Sequence, residues 1–263
     1  MFFIPCFFES MFESKLGDGR CNWDSFITTN CENFNCDELD CGIWNGNYCE
    51  GQVDYSPVKA NRSSADSQEI REVAGVLIKS KNLVIHAGQG VHYAEAWDEL
   101  VELAELLQAP VMTTMPGKSC FPENHPLALG ASAVSTTKQV SHFLNKADTV
   151  FGIGCSFTQT VYGKSIPSGK VIIHSTVDPM DIHKDYKADY ALIGDAKLVL
   201  RALIDDIKSR TGGIGNQNNQ KVAAEVKAVK SEWLKEWMPE LTSDEIPINP
   251  YRVIWDMLNN VDR

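Results

Sequence analysis

Along the middle of the chain, short apolar runs alternate with stretches in which apolar positions return every three or four residues. Leu83 to Ala87, Pro110 to Thr114, Thr149 to Ile153, Val171 to His174 and Tyr190 to Ile193 are brief and rich in β-branched residues, and predict buried strands. The intervening stretches predict amphipathic helices. One spans Ala94 to Leu107, with Trp97, Leu100, Val101, Ala104 and Leu107 inward and Glu95, Asp98, Glu99, Glu102 and Glu105 outward. Another begins at Asp66, a fitting N-cap with Glu69 three residues on, and buries Ile70, Val73, Val76 and Leu77. Thr136 to Lys146 turns Val140, Phe143 and Leu144 to one side, and Ala196 to Ser209 turns Leu198, Leu200, Leu203 and Ile207 inward. Strands alternating with helices predict an α/β domain: a Rossmann-like parallel sheet with helices on both faces.

The first strand stops at Gly88-Gln89-Gly90, where glycine permits a tight turn near a helix start, and where backbone N–H groups could face an anion. The two glycines open a GxGxxG pattern. Tyr93 stands where its third glycine belongs, and Thr113 and Thr114 end the second strand with no acidic residue, so the usual NAD fingerprint is excluded. As bare residues, Gly88 and Gly90 read first as turn chemistry.

A wider set of residues carries a family resemblance. VIHAGQGVHYAEAWDELVELAELLQAPVMTT, GKSCFPENHPLALG, ADTVFGIGCSF and IIHSTVDPMDIHKDYKADYALIGDAK, in that order, resemble the central domain of thiamine-diphosphate-dependent enzymes of the acetolactate synthase type. The resemblance implies a domain over residues 65–210. It places Gly88, Gly90, Thr114, Gly117, His125, Gly154 and Asp178 around a nucleotide, FAD or ADP, with Asp178 as acceptor for an adenosine hydroxyl. FAD binders of the family carry G-x-R-F-D-D-R where this chain has Gly154-Cys155-Ser156-Phe157-Thr158-Gln159-Thr160. Both arginines that would meet the pyrophosphate are replaced, which implies a weak or vestigial nucleotide site. Complete relatives act on 2-oxo acids with thiamine diphosphate and Mg2+, held by domains on either side. The chain is therefore expected to be a scaffolding part of a carboligase or decarboxylase, inert alone, working with other domains or subunits and as a homo-oligomer when complete.

Composition changes the picture only at the N-terminal end. The first 56 residues hold ten acidic and two basic residues, a net of −8 out of −11 for the whole chain, together with six of the eight cysteines. The remainder is nearly balanced, which argues against a nucleic-acid backbone as partner. Cys6, Cys21, Cys31, Cys36, Cys41 and Cys49, set among Asn, Asp and Gly, read as a small disulfide-stapled module over residues 1–50, with their pairing left open. LGDGRCN…NCENFNCDELDC is similar to a Lin-12/Notch repeat, and that similarity implies Ca2+, with Asp18, Asp37 and Asp40 as candidate ligands. A zinc site is the runner-up, with neither a CxxC pair nor a histidine here to favour it. Gly17-Asp18-Gly19 followed by Asn45 copies in letters a diphosphate-magnesium motif, but lacks the strand-helix setting that chemistry needs. An alternative function follows, a calcium-binding interaction protein carrying a passive Rossmann-like domain.

Residues 51–64 read as a linker, 211–245 as a linker and charged helix, and 246–263, with PINPYRVIWDML, resemble the start of a following cofactor-binding domain. Val222, Val226, Val229, Trp233 and Trp237 offer a partner face on that helix. The opening apolar run is broken by Pro5, Glu9 and Ser10 and lacks a basic lead, so it reads neither as a signal peptide nor as a membrane span. The two halves imply different compartments: cytoplasmic or organellar for the central domain, oxidising for the cysteine-rich segment. His86, His125 and His174 are read as structural hydrogen-bonding residues, and Cys120 and Cys155 as buried thiols.

Overall fold

The computed structural model describes residues 61–133, 135–159, 161, 163–215 and 221–261. The expectations for Asp18, Asp37, Asp40 and the cysteine-rich module lie outside the described residues. From Asn61 onward the chain forms one compact unit. Its sheet contains β1 (Leu83–Ala87), β2 (Val111–Thr113), β3 (Ala128–Ala131), β4 (Thr149–Ile153), β5 (Val171–Thr176) and β6 (Tyr190–Ile193). Their order is β3-β2-β1-β4-β5-β6 and all neighbours are parallel. The chain winds outward from β1 to β3, then restarts at β4 on the other side of β1. Strand-end loops diverge at that restart and open a crevice at the carboxyl ends of β1 and β4.

Helices cover both faces. They are α1 (Ser67–Lys79), the single turn α2 (Gly90–Tyr93), α3 (Trp97–Leu107), α4 (Lys138–Lys146), α5 (Ala196–Thr211), α6 (Val222–Leu241) and α7 (Pro250–Asn260). The two-residue period of the strands divides the core. Leu83, Ile85, Ala87, Phe151, Ile153 and Ile173 pack with α1, α3 and α5, whereas Val84, Met112, Val150 and Ile172 pack with α4 and with Val226 of α6. Asp66 caps α1, accepting from Gln68 N at 2.7 Å and Glu69 N at 3.4 Å. Asp195 caps α5 in the same way.

The structure corrects the sequence reading in four places. β3 was not among the expected strands: Ala128-Leu129-Gly130-Ala131 has no β-branched residue, and turns rather than a helix lead to it from β2. The helix expected from Ala94 starts only at Trp97, because Glu95 takes φ +52° and separates α2 from α3. On α3, Glu99 is buried and Trp97 exposed, the reverse of the expected faces. Glu99 pairs with Arg201 of α5 at 3.2 Å, which makes its burial tolerable. On α5, Leu198 faces outward and Val199 and Ile204 take the core positions.

α6 docks through Val226 and through charges that flank it. Glu225 accepts from His142 at 2.8 Å and Lys146 at 2.7 Å, and Lys138 reaches Glu236 at 2.6 Å. Burial alone would raise the Glu225 carboxyl, but the hydrogen bonds from Lys146 and His142 outweigh it and hold it below the usual carboxylate range. Its contribution is therefore complete above the ordinary glutamate value and is lost as pH falls through the depressed one. Glu225→Ala is expected to destabilise by about 1 kcal/mol. Amide exchange should speed up across residues 222–241 and stay unchanged in β1 and β4. A uniform rise in both would show that α6 and the sheet unfold together.

α7 turns back on α6 through Tyr251, whose ring meets Trp237 edge-on at 5.1 Å. Its other face leaves Val253, Ile254, Met257 and Leu258 exposed. Among the described residues no helix is long and apolar enough to cross a membrane.

Candidate functional site

The crevice begins with a backbone-to-backbone contact. Gly88 N donates to Ile153 O and Gly90 N to Gly154 O, each at 2.9 Å, while Gly154 N donates to Ser175 O at 2.9 Å. A Cβ on Gly88 would lie 2.6 Å from Cys155 Cα, and one on Gly90 2.7 Å from Gly154 Cα. Gly154 itself adopts φ +61°. These glycines let the β1 and β4 loops touch. Gly117 does similar work, since a Cβ there would sit 2.8 Å from Ala87 O, under the 114–120 turn that folds over the end of β1.

Above this contact lies a cavity of about 840 Å³, within the range of small-molecule sites. Of the residues expected around a nucleotide, Gly90, Thr114, Gly154 and Asp178 line it. Gly88 and Gly117 are packed behind the wall rather than in it. His125 is elsewhere: its Nδ1 accepts from Leu127 N at 3.2 Å and its Nε2 faces Glu105 at 3.2 Å.

His86, Gly152 and His174 stand side by side across β1, β4 and β5. Gly152 leaves room for the Phe157 ring, which inserts between the two imidazoles, 5.7 Å from His86 and 4.8 Å from His174. Tyr186 closes the far side, 6.0 Å from Phe157. His174 Nε2–H donates to Cys155 O at 2.7 Å, as expected of a structural histidine. Burial lowers its pKa.

His86 departs from the structural-histidine expectation. It lines the cavity, is 9% exposed, and neither ring nitrogen has a hydrogen-bond partner among the described residues. Burial pushes its pKa down to about 4, so the ring is neutral and offers one donor and one acceptor. Ser132 Oγ and Ser175 Oγ, also on the cavity wall, are likewise buried without partners. An unpaired buried polar group costs about 1–3 kcal/mol, and these three polar atoms lie shielded behind the crevice wall. The serines carried no sequence signal beyond polar letters at strand ends. The cavity-lining Cys155 is a buried thiol, as is Cys120; burial raises each to about 12, which removes both as nucleophiles at neutral pH.

The wall fits a diphosphate poorly. Two amides of the first turn are already committed: Val91 N donates to Gly88 O and His92 N to Gln89 O. The N-terminus of α5 at the rim is capped by the Asp195 carboxylate, 3.0 Å from Lys197 N and 3.2 Å from Leu198 N. No arginine occurs between Arg71 and Arg201 in the sequence. Arg62, which lies near the rim, donates to Ala94 O at 3.0 Å and pairs with Asp195 at 3.6 Å. No group of three or more His, Cys, Asp or Glu side chains that could hold a metal lies among the described residues.

Residues 70–203 match the family described as thiamine pyrophosphate enzyme, central domain. The chain is 34% identical over 204 residues to a probable acetolactate synthase large subunit of Methanococcus aeolicus, covering 74% of this chain and 33% of that one. It is 37% identical over 207 residues to the probable acetolactate synthase large subunit of Methanocaldococcus jannaschii, covering 74% and 32% respectively. The fold is similar to a benzoylformate decarboxylase from Polynucleobacter necessarius, with TM-score 0.54 and 25% identity over 66% of this chain and 32% of that one. The chain thus spans about a third of the length of the relatives it matches.

Proposed function

Because this chain belongs to the thiamine pyrophosphate enzyme family, as its central domain, we propose that it scaffolds a thiamine-diphosphate-dependent 2-oxo acid carboligase or decarboxylase of the acetolactate synthase kind. The observation that carries the reading is the match across residues 70–203 joined to 34% and 37% identity with two acetolactate synthase large subunits. In such an enzyme thiamine diphosphate supplies the electron sink for chemistry next to a carbonyl. The cofactor and Mg2+ would be held by other segments of the complete enzyme.

What this chain contributes is shape. The parallel sheet gives a rigid block, α6 ties it to α7, and the exposed apolar residues of α7 form a face for a neighbouring domain or subunit of a homo-oligomer. The setting proposed is cytoplasmic or organellar.

The test is a replacement. Residues 61–211 would replace the matching segment of the Methanococcus aeolicus large subunit, and acetolactate formation from pyruvate by that chimera would be measured with thiamine diphosphate and Mg2+. Retained turnover is the expected result. A chimera that folds and assembles yet forms no acetolactate would refute the reading. The chain alone, given the same mixture, is expected to release no CO2 from pyruvate.

A further inference from the structure

We propose that His92 is a pH-sensitive clasp: its neutral ring holds the turn at residues 115–119 against α2 and α3, and protonation of the ring releases that turn and widens the mouth of the crevice. The clasp does not depend on what the crevice binds.

The geometry fixes the state of the ring. Trp97 Nε1–H donates to His92 Nδ1 at 2.9 Å, and His92 Nε2 lies 3.0 Å from Lys118 O. An indole nitrogen only donates and a carbonyl oxygen only accepts, so Nδ1 carries the lone pair and Nε2 the proton. One neutral tautomer thus joins α3 to the turn through both ring nitrogens. An imidazolium has an N–H at each nitrogen, and the new Nδ1–H would face the Trp97 N–H. The chain of bonds would break at its centre. Charged groups on the surrounding elements do not offset this, since none pairs with His92 among the described residues. Lys118 engages Glu123, Lys197 of α5 donates to Glu95 O at 3.1 Å, and Arg62 donates to Ala94 O at 3.0 Å. In the first turn of α3, Glu99 meets Arg201 at 3.2 Å and Asp98 is exposed.

The turn is built to let go. Ser119 takes φ +70°, a left-handed backbone that a residue with a Cβ adopts only at a cost. Met115 is 54% exposed, and Pro116, Lys118 and Ser119 are exposed beside it. Backbone bonds of the turn run locally, from Gly117 N to Thr114 O at 3.1 Å and from Lys118 N to Met115 O at 3.2 Å. Among the described residues, the hydrogen bond that ties residues 115–119 to another element is the one from His92. Downstream, the buried side chains of Cys120, Phe121 and Leu127 keep the chain in the core, which confines movement to the turn. Met115 and Pro116 line the crevice, as do Gly90 and Tyr93 from the same helical turn as His92. Release of the turn therefore changes the opening itself.

Two measurements on the full chain test the clasp. Nitrogen-15 NMR of the histidine rings at pH 7.5 should show His92 protonated at Nε2 and bare at Nδ1. A neutral ring with its proton on Nδ1 would overturn the proposal. Hydrogen exchange, each rate divided by that of an unstructured peptide at the same pH, follows the turn. Protection of the Gly117 and Lys118 amides and of the Trp97 indole N–H should fall about tenfold between pH 7.5 and 5.5, the range in which an imidazole gains its proton. Amides of β1, followed in the same samples, report opening of the whole sheet, and the fall at the turn should exceed theirs. His92→Gln can still donate to Lys118 O but takes no proton in this range, so its Gly117 and Lys118 amides should be equally protected at both pH values. A fall at the turn no larger than in β1, or one of the same size in His92→Gln, would overturn the proposal.

Discussion

Gly88→Ala is expected to cost about 3 kcal/mol of stability and to force apart the two loops that form the crevice. The added methyl would meet the Gly154 carbonyl oxygen and lie 2.6 Å from Cys155 Cα. Both are backbone atoms of the neighbouring strand-end loop, so neither can swing aside as a long side chain would. Relief requires the β1 and β4 loops to separate, which breaks the 2.9 Å bonds from Gly88 N to Ile153 O and from Gly90 N to Gly154 O. The crevice is built on that contact, so the loss of fold and the loss of site should appear together. Gly75→Ala makes the comparison: Gly75 is inside α1, and its nearest obstacle is the end of the Arg210 side chain at 3.3 Å. Helix propensity favours alanine there by about 1 kcal/mol, so its urea midpoint should hold or rise. A fall of less than 1 kcal/mol for Gly88→Ala would mean that the two loops are not in firm contact.

The second large effect is expected from pH. His86 has a pKa of about 4 in the folded protein against an ordinary 6.5, because burial penalises its charged form. The unfolded chain therefore binds a proton between those values while the folded chain does not, and stability falls as pH drops from 6.5 towards 4. The stabilisation is complete above pH 6.5. A shift of this size corresponds to about 3 kcal/mol. His174, whose pKa burial also lowers, adds a loss of the same sign. Urea denaturation at half-unit steps from pH 7.5 to 4 measures the slope. His86→Leu should flatten most of it and, by removing an unpaired polar ring, leave stability at pH 7 equal or higher. An unchanged acid slope in that variant would show that the imidazole finds a partner in solution.

Much of the architecture was legible because its signals are local. The run from Leu83 to Ala87 announces a buried strand, and Asp66 and Asp195 announce helix starts, through residues that touch neighbours a few positions away. The FP, HPL and LG spacing of residues 121–130 carried the family resemblance, and the central-domain match over residues 70–203 bears it out. The alternation of strand and helix was enough for a parallel α/β sheet, which the six-stranded order shows. β3 escaped because Ala128 to Ala131 owes its strand to pairing with β2 rather than to its own preferences.

The candidate site was less legible. Gly88 and Gly90 were noticed, but their reason lies at Gly154 and Cys155, across the sheet. Glu99 looked solvent-facing until Arg201, about a hundred residues on, met it at 3.2 Å. Nothing local marks His86 as unpaired, or joins it to Ser132 and Ser175 on one wall. By itself the amino-acid sequence determined strand and helix periodicity, caps, family and the lack of arginine along the crevice. Only the tertiary structure decided which glycines touch backbone, which charges are buried and which polar atoms go without partners, because each depends on what the fold brings from a distant part of the chain to exclude water there.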